Sequence, residues 1–416
     1  MMKHWAQNGL KALTGAWVLA LLATVAWSQS ITWLGTLPGG GYSEASGVSA
    51  NGTVVVGFAV NAAGYSHAFR WTASGGMQDL GTLPGYDMSY ADGVSADGSV
   101  VVGTAVYEYY YFYYSRAFRW TASGGMQDLG TLPGGGSSEA YGVSADGAVV
   151  VGWAENAAEQ WRAFRWTVDG GMQDLGTLGG GRSRAYGVSA DGAVVVGWAV
   201  NAAEQERAFR WTASGGMQDL GTLPGYDTSY ASGVSADGAV VVGWAENAAE
   251  QWRAFRWTVD GGMQDLGTLP GYDMSYADGV SADGSVVVGG SGRRAFRWTA
   301  SGGMEDLNTT YASLLTNGSY LRWATAISPD GRYIVGQGYN AATGREEAFL
   351  LDTGPRCTTH NGDVDANGCV DDADLLAVLF AFGNTGSTLG REDTNCDGTV
   401  DDADLLQVLF NFGSGC

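Results

Sequence analysis

The stretch "ITWLGTLPGG" (31–40) is the tail of a unit that recurs in full as "RAFRWTASGGMQDLGTLPGG" (116–135). The repeats therefore begin partway through a copy. The last copy is short in the complementary way, because nothing like "MQDLGTL" follows "EEAFLLDTG" (346–354). A ring accounts for both features at once, if the first strand completes the last unit.

"GVSADG" or a variant starts at Gly47, Gly93, Gly142, Gly187, Gly233 and Gly279, and "AISPDG" starts at Ala326. "AFRW" follows each, with its Phe at 69, 118, 164, 209, 255 and 296, and as "AFLL" at Phe349. One unit reads as four short strands, "YGVSA", "AVVVGWA", "RAFRWT" and "MQDLGTL", with "ADG" and "TASGG" as turns. Four strands at a period near 45 residues mark a propeller blade. A blade cannot bury its faces alone, and stacking in a circle removes free ends. A linear solenoid would have shorter rungs. The expectation is an all-β, seven-bladed β-propeller over 29–352, sealed by pairing 31–36 with 347–352. Six units also suggest a cross-strand ion pair: Arg70 with Asp79, Arg119 with Asp128, Arg165 with Asp174, Arg210 with Asp219, Arg256 with Asp265 and Arg297 with Asp306. In the seventh the two positions are Leu350 and Trp33, so both charges vanish together.

Gly at 67 of 416 residues with only 7 Pro and 12% aromatics is a turn-rich β composition, not a disordered one. Residues 1–28 read as a secretory signal peptide: Lys3 and Lys11, an apolar run from Ala12 to Trp27, and Ala26-Trp27-Ser28 before Gln29. This predicts a secreted protein, either released or held at the cell surface after export, with no membrane insertion once the signal is cleaved. Cys357, Cys369, Cys396 and Cys416 crowd the C-terminus and predict two disulfides whose pairing stays open. Net charge is −22, and 357–416 contribute 11 acids against one Arg. That argues against nucleic acid or anionic membrane as a partner and favours bound cations.

"SHAFRW", with His67-Ala68-Phe69, resembles the HAF family of extracellular bacterial repeats, and the resemblance spans roughly 31–352. It implies export and no chemistry. "ISPDGRYIVGQG" (327–338) is similar to Trp-Asp-repeat propellers, which close by the same strand exchange.

Residues 75–103 and 261–289 are identical over 29 residues. A catalytic centre needs particular groups at one place, so near-symmetry weighs against an enzyme, and no catalytic residue is assigned. The variable stretches "LPGYDMSYAD", "LPGGGSSEAY", "NAAEQWR" and "VYEYYYFYYSR" (106–116) fall on one face, as binding loops on a rigid scaffold do. Tyr86, Tyr90, Tyr109, Tyr111, Tyr113, Trp161, Trp252 and Tyr272 are the candidate contacts there, for a glycan or a protein. The plainer reading of the tyrosine run is an extended hairpin.

The chemical signal is sharpest in "DVDANGCVDDAD" (363–374) and its echo "DTNCDGTVDDAD" (393–404). Calcium takes oxygens from loop positions 1, 3, 5, 7, 9 and 12, with Gly at 6. The first loop offers Asp363, Asp365, Asn367, the Cys369 carbonyl, Asp371 and Asp374; the second offers Asp393, Asn395, Asp397, the Thr399 carbonyl, Asp401 and Asp404. Two calcium ions are expected. A loop followed by one helix, twice, with Asp at position 12, resembles a dockerin over about 361–414, within a dockerin-like module spanning 353–416. The resemblance implies docking to a cohesin-like or envelope protein. The helices depart from it in being mostly apolar or acidic, and Leu375, Val378, Leu379, Phe380 and Phe382 are expected to pack them together, with any excess facing a partner or the propeller. The whole reads as a secreted, non-catalytic binding or scaffold protein. The alternatives are a carbohydrate-active protein (glycosyl hydrolysis or lyase) and an envelope spacer.

Overall fold

Each unit folds as its residue alternation dictates, and the second shows the pattern. Met88–Val94, Val100–Tyr109, Phe112–Thr121 and Gly125–Asp128 pair in that order, each antiparallel to the next. This is a computed structural model; it describes residues 29–109, 112–354, 361–365, 367–384, 391–394 and 400–416, with backbone only at 108, 109, 112 and 113. Seven such four-stranded sheets form the ring. The last consists of Tyr320–Ile327, Tyr333–Asn340 and Arg345–Asp352, with Ser30–Trp33 as its outer strand. The expected closure is present: Ser30 faces Asp352 and Trp33 faces Phe349. One further bond, Leu34 N–H to the Ala348 carbonyl at 2.9 Å, ends it, so the seam is shorter than the sequence suggests.

Two glycines of the second unit are steric requirements. The innermost strand bulges between Ala91 and Gly93 and lies over the second strand, so a Cβ at Gly103 would stand 1.9 Å from the Tyr90 carbonyl. A Cβ at Gly93 would meet the Tyr141 carbonyl of the next blade at 2.9 Å. Between sheets, the phenylalanines of "AFRW" and Phe349 are wholly buried.

Small polar clips join the blades. Ser89 Oγ accepts from Ala68 N–H at 2.8 Å and donates to the Gly81 carbonyl at 2.6 Å. At the seam Ser43 does the same, accepting from Ala348 N–H at 2.9 Å and donating to Gly35 at 2.6 Å. The closing junction is thus built like an ordinary one. A second series runs through the "ADG" turns, from Ala50 N–H to Ala96 carbonyl and onward to Ala282 N–H and Pro329 carbonyl. Pro329 has no N–H to continue it, and Thr325 Oγ spans the gap to the Ala45 carbonyl at 2.6 Å. Ser43→Ala would strand a buried donor and acceptor, so a loss of about 1–3 kcal/mol is expected in denaturant unfolding. Ser99→Ala, in an exposed turn, should change stability by less than about 0.5 kcal/mol.

The expected Arg–Asp pairs are not formed, although the closure they argued for is. Arg70 faces Gln78, and Asp79 faces Phe69. Arg70 instead reaches the next blade and donates to the Gly98 carbonyl. The acid pairs diagonally with the residue three before that arginine: His67 with Asp79 at 2.9 Å, Arg116 with Asp128 at 3.7 Å, Arg294 with Asp306 at 3.2 Å. His67 therefore stands in for a structural arginine. In the seventh blade this position is Glu347, buried and accepting from Asn340 Nδ2 and Thr343 Oγ1. An acid opposite it would be repelled, and the chain places Trp33 there.

In the C-terminal segment, helices Asp372–Ala381 and Asp402–Phe410 each begin with a capping box, Asp371 with Asp374 and Asp401 with Asp404. Val364, Val370, Val378, Val400 and Val408 form the core, with Leu375 packed against it. Leu379, Phe380 and Phe382 do not pack the helices together as expected; they are exposed, Phe380 at 86%. At 3.6 residues per turn, Leu376, Leu379 and Phe380 share the face opposite Val378. Cys369 is bonded to Cys416, which fixes one disulfide, while Cys357 and Cys396 lie outside the described residues.

Candidate ligand funnel and metal loop

The innermost strand of each blade shows alternate residues to the central channel. At the waist these are the repeated Gly–Val pairs, a nearly uniform wall. Just above it the uniformity ends. The residue preceding Gly–Val in blades one to six, and its counterpart in blade seven, is Ser46, Asp92, Tyr141, Tyr186, Ser232, Asp278 and Thr325 in turn. With Glu44, Tyr230, Trp244, Trp323 and Gln337 these residues line a funnel of about 600 Å³, within the size range of small-ligand sites.

Burial pushes Asp92 up to about 8, with repulsion from Glu139 and Glu44 adding to it. Asp278 is raised to about 7 by burial, with Glu44 adding and the Trp323 indole N–H, 2.7 Å from Oδ2, opposing. Burial also raises Glu44, against the Tyr42 hydroxyl at 2.8 Å. Both aspartates lie in the 29-residue duplication, which puts them on blades two and six, on opposite sides of the channel. Their ordinary pKa is about 4, so between there and 7–8 the folded protein binds more protons than the unfolded chain. Stability should then fall as pH rises through that window. Asp92→Asn with Asp278→Asn should flatten the fall when urea midpoints at pH 4.5 and 8.5 are compared; an unchanged slope would contradict the assignment.

Around the mouth runs a belt of rings. Trp198 meets Tyr230 at 5.9 Å, Tyr230 stacks on Trp244 at 4.1 Å, Trp244 meets Tyr276 at 5.6 Å, and Tyr276 meets Trp323 at 5.5 Å. Of the residues expected at a contact face, one joins this belt and two make ring pairs of their own. Trp252 stacks on Tyr276, Tyr90 meets Phe58 at 5.0 Å, and Trp161 packs on Trp153 beneath the Arg184 guanidinium, 4.1 Å away. Tyr86 is partly buried against a blade core. Tyr272 stands apart, beside Arg293, Arg294 and Tyr320 in a separate hollow. Tyr109 and Tyr113 lie on the long hairpin of blade two, as the plainer reading expects; their side chains and all of Tyr111 fall outside the described residues. The sequence reading missed Glu44, Asp92, Asp278 and Trp323. The available signal was the change of residue just before each "GV", the extra residue of the bulge on the innermost strand, where a bulge re-aims a side chain.

In the first terminal loop, carboxylate oxygens of Asp363, Asp365 and Asp374 come within 4.8 Å of one another, the one such acidic cluster among the described residues. Burial would raise Asp374, but backbone N–H groups of Asp371, Asp365 and Val364 outweigh it and hold its carboxyl below the ordinary range. Gly368 takes the left-handed turn at φ +91°. Asn367 Oδ1 accepts from Cys369 N–H, and Asp371 caps the helix through Ala373 N–H. These residues could hold a metal ion. In the second loop Asp393 and Asp404 are buried and Asp401 caps its helix, while Asn395, Asp397 and Thr399 lie outside the described residues.

The strand pairing defines the chain as a seven-bladed β-propeller protein with a small helical C-terminal segment. No family model and no curated protein matches the sequence. Solved propellers are similar to it: an oligogalacturonate lyase in complex with manganese (10% identity, 77% of this chain and 92% of that one, TM-score 0.48); the Cps50 (Swd1) propeller domain of Myceliophteria thermophila (11%, 77% and 99%, 0.46); and TolB of Acinetobacter baumannii (11%, 76% and 65%, 0.40). The architecture stated above rests on the strand pairing rather than on these likenesses. The disulfide fits an oxidising compartment, periplasmic or extracellular, and no helix among the described residues is long and apolar enough to cross a membrane.

Proposed function

We propose that this is a secreted HAF-type binding protein whose propeller takes a glycan or protein ligand at the funnel, and whose calcium-loaded, dockerin-like segment attaches it to a cohesin-like or envelope partner. One observation carries the first half: the repeat keeps its scaffold residues blade after blade and varies those that line the funnel. Calcium suits the terminal loops because the donors are hard oxygens at the spacing of a flexible calcium loop. Asp363, Asp365, Asn367, the Cys369 carbonyl, Asp371 and Asp374 would hold one ion, and the matching residues from Asp393 to Asp404 a second. Bound calcium supplies the positive charge that lets these carboxylates sit together. Asp374 ties that loop to its helix through the backbone groups it accepts from.

The test presents the full chain, with calcium and with chelator, to an array of polysaccharides and to immobilised secreted and envelope proteins. Ligand retention lost in Trp244→Ala supports the funnel, and a partner held only with calcium supports the docking segment. Retention unaffected by Trp244→Ala would overturn the first half, and calcium-independent capture the second. A second reading, a glycoside-cleaving or lyase activity, is favoured by two carboxyls, Asp92 and Asp278, placed across one channel and raised above the ordinary carboxylate range by desolvation; product release from a glycan panel, abolished in Asp92→Asn, would establish it.

A further inference from the structure

The funnel's charge narrows the ligand class. Glu44, Asp92 and Asp278 line it, and no basic side chain does. Two guanidiniums come near it without lining it: Arg184 lies over Trp161 and Trp153, and Arg322 is paired with Glu346 at 2.6 Å. Among the lining rings are Tyr230, Trp244 and Trp323, with the Trp323 indole already bound to Asp278. Carboxylates beside electron-rich ring faces attract an ammonium group by direct charge and by cation–π contact. The rings also offer flat apolar surfaces to the C–H faces of a sugar. A polyuronate would bring carboxylates against carboxylates with no arginine among the lining residues to receive them.

Resting on the reading of the funnel as the ligand site, we infer that it selects a cationic amino sugar, its ammonium held between Asp92 or Asp278 and the Tyr230–Trp244–Trp323 rings. Binding would draw these carboxyls into their ionised form and hold the amine as an ammonium, so the complex should exchange protons with the buffer near pH 7. Glu44 acts on both aspartates and Glu139, on the neighbouring blade, acts on Asp92, while Arg184 and Arg322 stand outside the lining; the acids nearest the aspartates thus add to the demand for a cation.

The test is calorimetry of the calcium-loaded full chain with four probes: a glucosamine hexamer, the N-acetylglucosamine hexamer, a galacturonate hexamer and tetralysine. The glucosamine hexamer should bind at least tenfold tighter than its acetylated twin, with no binding of galacturonate. Its heat should depend on the ionisation enthalpy of the buffer, which a purely structural role for the aspartates would not produce. Asp278→Asn should weaken the glucosamine hexamer tenfold and leave the acetylated one unchanged; because the probes are compared on the unaltered protein, the inference survives a variant that fails to fold. Equal binding of both hexamers would overturn the charge selection and leave the glycan reading standing. Tetralysine binding as tightly would assign the funnel to a basic peptide and overturn the sugar. Binding of none of the four would overturn the inference, and the array then decides the broader reading separately.

Discussion

Trp33→Asp is expected to destabilise the propeller by about 3 kcal/mol, although six other copies of the repeat carry Asp at that point. Trp33 sits edge-on to Phe349 with centroids 6.3 Å apart. Its diagonal neighbour in the seventh blade is not an Arg or His but Glu347, only 2% exposed. A new carboxylate there would face a buried one and lose the ring contact as well. Glu347→Arg in the same chain should recover about 1–2 kcal/mol of the loss, a coupling of the size that neighbouring pairs show. A double-mutant cycle in guanidinium chloride reads this directly. Additive effects would mean that the N-terminal strand does not complete the seventh blade as described.

The second large effect concerns the terminal loops. Chelating calcium is expected to unfold the two terminal helices and leave the propeller intact, because five buried valines are a small core and the acidic loops repel themselves without a cation. Helical circular dichroism should fall on chelation while the tryptophan fluorescence of the propeller stays unchanged, since the sequence beyond Gly354 contains no Trp. Asp374→Ala removes both a ligand and a capping-box partner, so calcium affinity at the first loop should drop on the order of 100-fold or more. A titration showing no calcium uptake by the unaltered chain would refute the loop assignment.

Much of the fold was legible because repetition multiplies each weak signal. One "ADG" turn or one "VVVG" strand proves little, but seven in register define a blade and its closure. The Arg–Asp pairing failed because strand register depends on the turn: "TASGG" sets Phe69, not Arg70, opposite Asp79. One residue of slip changes every partner. The correct pair could have been found in the seventh unit, where Glu347 accompanies Trp33. The funnel was harder to see. Its residues stand out only by differing between copies, and aromatic-rich loops drew attention to the rim. The pairing of "SYAD" with a channel-facing position needed the ring in place. The exposed Phe380 and Phe410 show the opposite failure, since a short helix cannot bury every apolar residue it carries.

The central claim is that specificity lies in the funnel and not in the outer loops. The most direct measurement compares ligand retention by three proteins on the same array: the unaltered chain, a funnel variant with Asp92→Ser and Asp278→Ser, and a rim variant with Tyr272→Ala and with Tyr65→Ala, an exposed residue of the loop between Val55–Val60 and Ser66–Thr72. Both serines occur naturally at this position in other blades, so the scaffold should tolerate them. The expected result is that the funnel variant loses its ligand while the rim variant keeps it. Retention by the funnel variant with loss in the rim variant would place recognition on the outer loops and contradict the account.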